Sequence, residues 1–245
     1  MKKLKIGIIG VGRLGYEHAC NIANRVPGSE LVAIADANFD RAKQVAEELG
    51  VTAVYNDPKA LCADPNVEAV AIITNTASHV EMIKIAMDAG KHVFCEKPLA
   101  DTVEKCKEAE AIIAAHPELT FMLGFMRRYD HSYQVAKKKM ENGDIGDVIL
   151  VRCYSQDPIS IIEGTLEYAP RSGGQFIDMS IHDFDLIRWL TGSEVKELWA
   201  TGGCYEFKQY KDWDDGDNVS GLMKMENDAM AFFFAGRAAA HGSHV

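Results

Sequence analysis

Leu4-Lys5-Ile6-Gly7-Ile8-Ile9 runs directly into Gly10-Val11-Gly12-Arg13-Leu14-Gly15, and a helical pattern follows. A short apolar run, a G-x-G-x-x-G turn and a helix start together predict a dinucleotide-binding βα unit. Gly10 permits the tight turn, Gly12 lets a pyrophosphate approach the backbone, and Gly15 lets the helix pack on the strand. The N–H groups at the helix start, around Arg13 and Leu14, would then face the phosphates.

A second strand, Glu30-Leu31-Val32-Ala33-Ile34-Ala35, ends at Asp36. Its distance from the glycine turn matches the ~20-residue spacing of the acid that binds an adenosine ribose. The plainer alternative is an aspartate that caps the next helix. The same carboxylate would repel a 2′-phosphate, which favours NAD over NADP. Arg41, the nearest positive charge, works against that preference.

Strand-like and helix-like segments alternate from there. Strands read at 4–9, 31–36, 53–55, 69–74, 92–95 and 120–124, with helices at 13–25, 38–49, 57–62, 78–89 and 102–115. Ala69-Val70-Ala71-Ile72-Ile73 and His92-Val93-Phe94-Cys95 are short apolar runs between polar turns, as buried parallel strands require. This grammar predicts a doubly wound α/β Rossmann domain over residues 1–123. Ligands of such sheets bind beyond the carboxyl ends of the strands. That edge gathers Gly10–Gly15, Asp36, Thr74–His79, Glu96–Pro98 and Gly124–Arg128. After about residue 130 the grammar changes. A helix at 132–142, a strand at 146–156, a helix at 172–189 and strands at 195–207, 217–226 and 229–236 predict an α+β domain over 124–245.

Composition narrows the function classes. The chain has 245 residues, 47% of them hydrophobic, which suffices for one large or two modest cores. Its net charge of −10 disfavours a general nucleic-acid surface. No segment approaches the ~18 apolar residues of a membrane helix. Met1-Lys2-Lys3 before an apolar run imitates a signal peptide, but the glycine turn, Arg13 and Glu17 interrupt it. Six scattered cysteines without a C-x-x-C pair read as reduced thiols in a cytoplasmic protein.

The 172–189 segment carries chemistry. Asp178 and His182 stand at i and i+4, which places them on one face of a continuous helix. Phe176, Ile177, Met179, Ile181, Phe184, Ile187 and Trp189 surround them, and ionisable groups on a buried helix need partners or a function. An Asp–His pair suits proton transfer, with the carboxylate fixing the imidazole. A purely structural hydrogen bond satisfies the pattern equally, with Asp183 and Asp185 making helix or subunit contacts. No third residue shows the spacing of a metal ligand, so no metal is expected.

Lys97, in Glu96-Lys97-Pro98, emerges at the carboxyl edge, where a nicotinamide would lie; the alternative is a surface lysine before a turn-forming proline. Pro98 is open to a cis bond. Asn75 and Thr76 suit capping and contact with a dinucleotide. His79 reads either as a site residue or as a structural histidine. Of Arg127 and Arg128, one suits a ligand hydroxyl and the other a pair with Asp130.

Together these pieces resemble the Gfo/Idh/MocA oxidoreductases. The matching text is Ile9–Gly15, Gly90–Pro98, Gly124–Asp130 and Ser172–Arg188, with a looser match to His241-Gly242. Gly124-Phe125-Met126-Arg127-Arg128-Tyr129-Asp130 is most similar to the inositol dehydrogenases. The resemblance implies a second domain built on a predominantly antiparallel sheet. It implies a catalytic Lys97, Asp178 and His182, and a polyol site lined by Met126, Arg127 and Asp157. It adds Thr74, Asn75, His79, Glu96 and Lys97 to Gly10–Gly15 and Asp36 as cofactor contacts. The implied reaction is hydride transfer between a secondary hydroxyl of a cyclitol or polyol and NAD; a sheet-bearing second domain makes a homo-oligomer (dimer or tetramer) the expected state. An aldose or the 3-hydroxyl of a glycoside is the alternative substrate, and a non-catalytic NAD(H) sensor the alternative class. Family members continue well past Val245, so the sheet of the second domain is expected to be incomplete.

Overall fold

The computed structural model describes residues 2–244. The chain divides into two compact units, Met1–Gly124 and Phe125–Val245.

The first unit follows the alternation of the sequence: β1 (Leu4–Ile9), α1 (Arg13–Asn24), β2 (Ser29–Ala35), α2 (Phe39–Leu49), β3 (Ala53–Tyr55), α3 (Pro58–Ala63), β4 (Ala69–Ile72), α4 (His79–Asp88), β5 (His92–Cys95), α5 (Val103–Ala114) and β6 (Phe121–Leu123). All six strands are parallel, in the order β3-β2-β1-β4-β5-β6. Because side chains alternate across a strand, each strand feeds two cores. Ile8, Ile34 and Ala71 pack under α1 and α2 with Ala19, Val45 and Ala46. Ile9, Val70, Ile72 and Val93 pack on the other face with Leu61, Ile83, Met87 and Ala109 from α3, α4 and α5. Burial on both faces explains why these strands read as continuous apolar runs.

Local chemistry sets the helix starts. The side chains of Asn38, Asp57 and Thr102 accept hydrogen bonds from the amides of Arg41, Lys59 and Lys105. Asn75, read as a capping residue, makes no side-chain cap at the 3₁₀ turn Thr76–Ser78. There the Ser78 hydroxyl donates to Thr74 Oγ1 and to the Asn75 carbonyl instead.

The second unit holds α6 (His131–Glu141), β7 (Leu150–Pro158), α7 (Ile162–Tyr168), α8 (Gln175–Asp178), α9 (Ile181–Thr191), β8 (Val195–Gly203), β9 (Asn218–Met225), β10 (Met230–Ala239) and β11 (Ser243–His244). The sheet order is β11-β7-β10-β9-β8, and only the β7–β10 pairing is parallel. One face, with Val151, Cys153, Met223, Met225, Ala231 and Phe233, is covered by Leu186 and Ile187 of α9. The other face is open. Leu150, Tyr154, Trp199, Leu222 and Met230 are all more than one-third exposed there.

In the second unit the structure corrects the sequence reading. The strand expected at 146–156 begins only at Leu150, and α7 occupies a stretch that carried no prediction. The single helix expected over 172–189 is two helices, broken at Met179-Ser180. Two ties from elsewhere in the unit hold the broken segment. The Gln175 amide donates to Asp215 Oδ1, and Asp178 is bound by Arg237 of β10. Tertiary anchors of this kind override the local helical pattern.

Candidate active site

In the first unit the glycine turn, Asp36 and the β4–α4 loop enclose a cleft of about 400 Å³, lined by Gly10, Gly12, Asp36, Asn56, Thr74 and Asn75 among others. The geometry fits a dinucleotide. A Cβ on Gly15 would stand 2.0 Å from the Gly10 carbonyl oxygen, so close packing of helix on turn needs glycine there. A Cβ on Gly12 would meet nothing within 4 Å, so the backbone at Gly12 faces open space where a pyrophosphate can lie. Arg13 and Leu14 are exposed at the start of α1.

Asp36 does not cap α2; Asn38 does. Asp36 Oδ2 accepts from the Val11 amide at 2.7 Å and Oδ1 from the Asn38 amide at 2.8 Å. It therefore braces the glycine turn and still has acceptor capacity for a ribose. Arg41 has protein partners of its own. Its Nε donates to the Val11 carbonyl, Nη1 donates to Gln44, and the guanidinium lies 5.1 Å from the Tyr16 ring centroid. Asp36→Ala is expected to weaken NAD binding by about tenfold or more, the worth of a hydrogen bond to a charged group. It should also narrow the preference for NAD over NADP. Fluorescence titration with both cofactors measures this, and unchanged NAD affinity would remove Asp36 from the ribose site.

The β5 edge holds Glu96, Lys97 and a cis Lys97–Pro98 bond. Glu96 pairs with His18 of α1 (Oε1 to Nε2, 2.8 Å), a partner that sequence reading missed. Its Oε2 accepts from the Lys97 amide at 3.1 Å. Burial works to raise the Glu96 carboxyl, yet the His18 ring and the Lys97 amide outweigh it and hold the group below the usual glutamate range. His79, expected among the cofactor contacts, opens α4. It is 1% exposed, and its ring nitrogens lie 2.8 Å from the Pro98 carbonyl oxygen and 3.3 Å from that of Thr74. Burial lowers its pKa against those two contacts.

In the second unit Met126 is well exposed, while Arg127 is 4% exposed. The Arg127 guanidinium donates to Asp183 and, at 2.8 Å, to the Ser155 hydroxyl. These contacts hold the guanidinium of Arg127, the residue expected on the wall of a polyol site. Arg128 pairs with Asp185 through both Nε and Nη2, and Asp130 caps α6. The expected Arg–Asp130 pair is thereby replaced. Asp178 ends α8 and His182 lies in the first turn of α9, so the premise of one continuous helix fails despite their i, i+4 spacing. The Phe125 ring stands edge-on to the His182 ring, 6.4 Å between centroids.

Arg237 was not anticipated. It is the one basic residue of β10 and 3% exposed, and it donates to Asp157 at 3.0 Å and to Asp178 at 2.7 Å. A lone charge in an apolar strand was the signal, because a buried guanidinium requires partners. The cysteines carry no nucleophile setting. All six are free thiols, and burial pushes Cys62 up to about 11 and Cys153 up to about 12.

The cleft and the parallel sheet define an NAD-binding oxidoreductase unit. The chain belongs to the GFO/IDH/MocA oxidoreductase family, whose NAD-binding Rossmann fold matches residues 4–125 and whose C-terminal domain matches residues 133–245. It is 37% identical over 246 residues to the myo-inositol 2-dehydrogenase of Thermotoga maritima, covering 98% of this chain and 70% of that protein. It resembles the scyllo-inositol dehydrogenase of Lactobacillus casei, solved with bound NAD(H) and scyllo-inositol, with a TM-score of 0.93 and 39% identity. That match covers 99% of this chain and 72% of the other. The Lactobacillus plantarum myo-inositol 2-dehydrogenase superposes with a TM-score of 0.94 at 39% identity, over 99% of this chain and 73% of that one.

Proposed function

We propose that this protein is an NAD-dependent cyclitol dehydrogenase: a secondary CH–OH becomes C=O as NAD becomes NADH and one proton is released. The observation that carries the reading is the dinucleotide cleft of Gly10–Gly15 and Asp36. Relatives named for inositol supply the substrate class. When bound, NAD accepts the hydride at its nicotinamide ring, so the cofactor supplies the hard chemistry and the chain supplies position and proton handling. Residues 1–123 hold the cofactor through Gly10, Gly12, Gly15, Asp36, Thr74 and Asn75, with Glu96 fixing the Lys97 backbone. Residues 124–245 supply the substrate contacts Met126 and Asp157.

His182 takes the hydroxyl proton as general base, Asp178 orients the imidazole and stabilises its cation, and Lys97 donates a hydrogen bond to the reacting oxygen. Initial rates of NADH formation across cyclitols, aldoses and glycosides test this reading. Turnover of scyllo- or myo-inositol is expected. Turnover of sugars alone would move the substrate class, and NADH binding without turnover would make the protein a sensor.

The same proposal places the protein in the cytoplasm, a reading supported by its free thiols. No helix among the described residues is long and apolar enough to cross a membrane. The proposal also includes self-association through the open sheet face. Arg152, Phe232, Leu222 and Trp199 form one cross-strand row there, because Phe232 pairs with both Arg152 and Leu222, and Leu222 with Trp199. Trp199 is 63% and Leu222 54% exposed, an apolar patch of the kind that marks an interface. Trp199→Lys is expected to lower the sedimenting mass to that of a single chain. A wild-type protein that already sediments as a monomer would contradict the proposal.

A further inference from the structure

Arg237 lies where β7 and β10 lose their regular register, between Gly236 and Ala239. Irregularities of this kind re-aim a side chain out of the ladder. The strands do not depend on Arg237 for their pairing, because seven consecutive residue pairs precede it, from Met230↔Leu150 to Gly236↔Gln156. The Arg237 amide is fixed by the Asp217 carbonyl at 2.9 Å. Its guanidinium reaches one carboxylate on β7 and one at the end of α8, Asp157 and Asp178, whose side chains are 18% and 17% exposed. A further titratable neighbour is the phenol of Tyr210, fully buried and packed edge-on against Trp213. Asp215 lies beyond it, accepting from the Gln175 amide that opens α8.

One guanidinium thus holds two carboxylates that sequence reading assigned separately, one to proton handling and one to substrate contact. A rigid fork suits that task, because its two nitrogens fix both groups at once, whereas an ammonium is a point charge. Gripping Asp178 through Oδ2 sets the direction of Oδ1. We infer that Arg237 is a positioning residue for the reaction, aligning Asp178 and Asp157 together and muting the negative charge of Asp178. The inference rests on the function proposed above.

The test compares the wild-type protein with Arg237→Lys and Arg237→Gln by cyclitol turnover, pH profile and NADH titration. Arg237→Gln is expected to lower kcat by about 10–100-fold, the effect of misplacing a catalytic group. NADH affinity, a property of the first unit, should stay unchanged. The acid limb of its kcat/KM profile should move to higher pH, because losing a positive charge raises the pKa of both Asp178 and His182. Arg237→Lys keeps the charge, so it should leave the acid limb in place while recovering only part of kcat. Folded variants with wild-type kcat and an unmoved acid limb would overturn the inference. Failure of both variants to fold would assign Arg237 to the architecture instead and overturn it too. Absence of cyclitol turnover in the wild-type protein would sink the functional reading itself.

Discussion

Replacing His182 with alanine is expected to lower cyclitol turnover by about 10²–10⁴-fold, the usual contribution of a positioned general base. NADH binding should survive, because the glycine turn and Asp36 belong to the first unit and His182 to the second. Substrate KM should change little beside kcat, since proton removal is felt mainly in the transition state. Asp178→Asn should fall between wild type and His182→Ala, because it keeps the shape of the side chain but no longer stabilises the imidazole cation. Steady-state kinetics and an NADH fluorescence titration on each folded variant make the comparison. A His182→Ala protein with near-normal turnover would end the role given to it.

Replacing Asp183 with alanine should have the largest effect on stability. Asp183 is 0% exposed and meets Arg127 and the Ser155 hydroxyl, which in turn are 4% and 0% exposed. Removing one partner of a buried ion pair leaves the other charge uncompensated, at a cost of about 3–5 kcal/mol. That is a large share of the ~5–15 kcal/mol that holds a typical domain together. The second unit should therefore melt earlier than the first, splitting a thermal unfolding trace. Arg127→Ala should act in the same direction. An Asp183→Ala protein with an unshifted melting transition would show that the triad contributes no stability.

The first unit was legible because each signal was local. Apolar runs bounded by turns gave the six parallel strands, and Gly10–Gly15 with Asp36 gave the cleft. The second unit was less so, because its decisive interactions are between distant residues. Arg237 holds Asp178 across 59 positions and Asp157 across 80. No periodicity reports such ties, and they accompany the break that turned one expected helix into α8 and α9. His79 and Arg127 stood in motifs that suited a ligand, and the fold gives each of them buried protein partners as well. Their residue types permit either role, and no local pattern reports such partners. His18 stayed hidden for a related reason: its partner, Glu96, lies 78 residues away, just past the end of β5.

In the proposed reaction a cyclitol carbon–hydrogen bond supplies the hydride that NAD accepts. Incubation of the protein with NAD and inositol deuterated at the reacting carbon, followed by mass spectrometry of the nicotinamide, tests it most directly. NADH carrying one deuterium for each ketone formed is the expected result. Ketone formation with unlabelled NADH, or no reaction with any cyclitol, would contradict it.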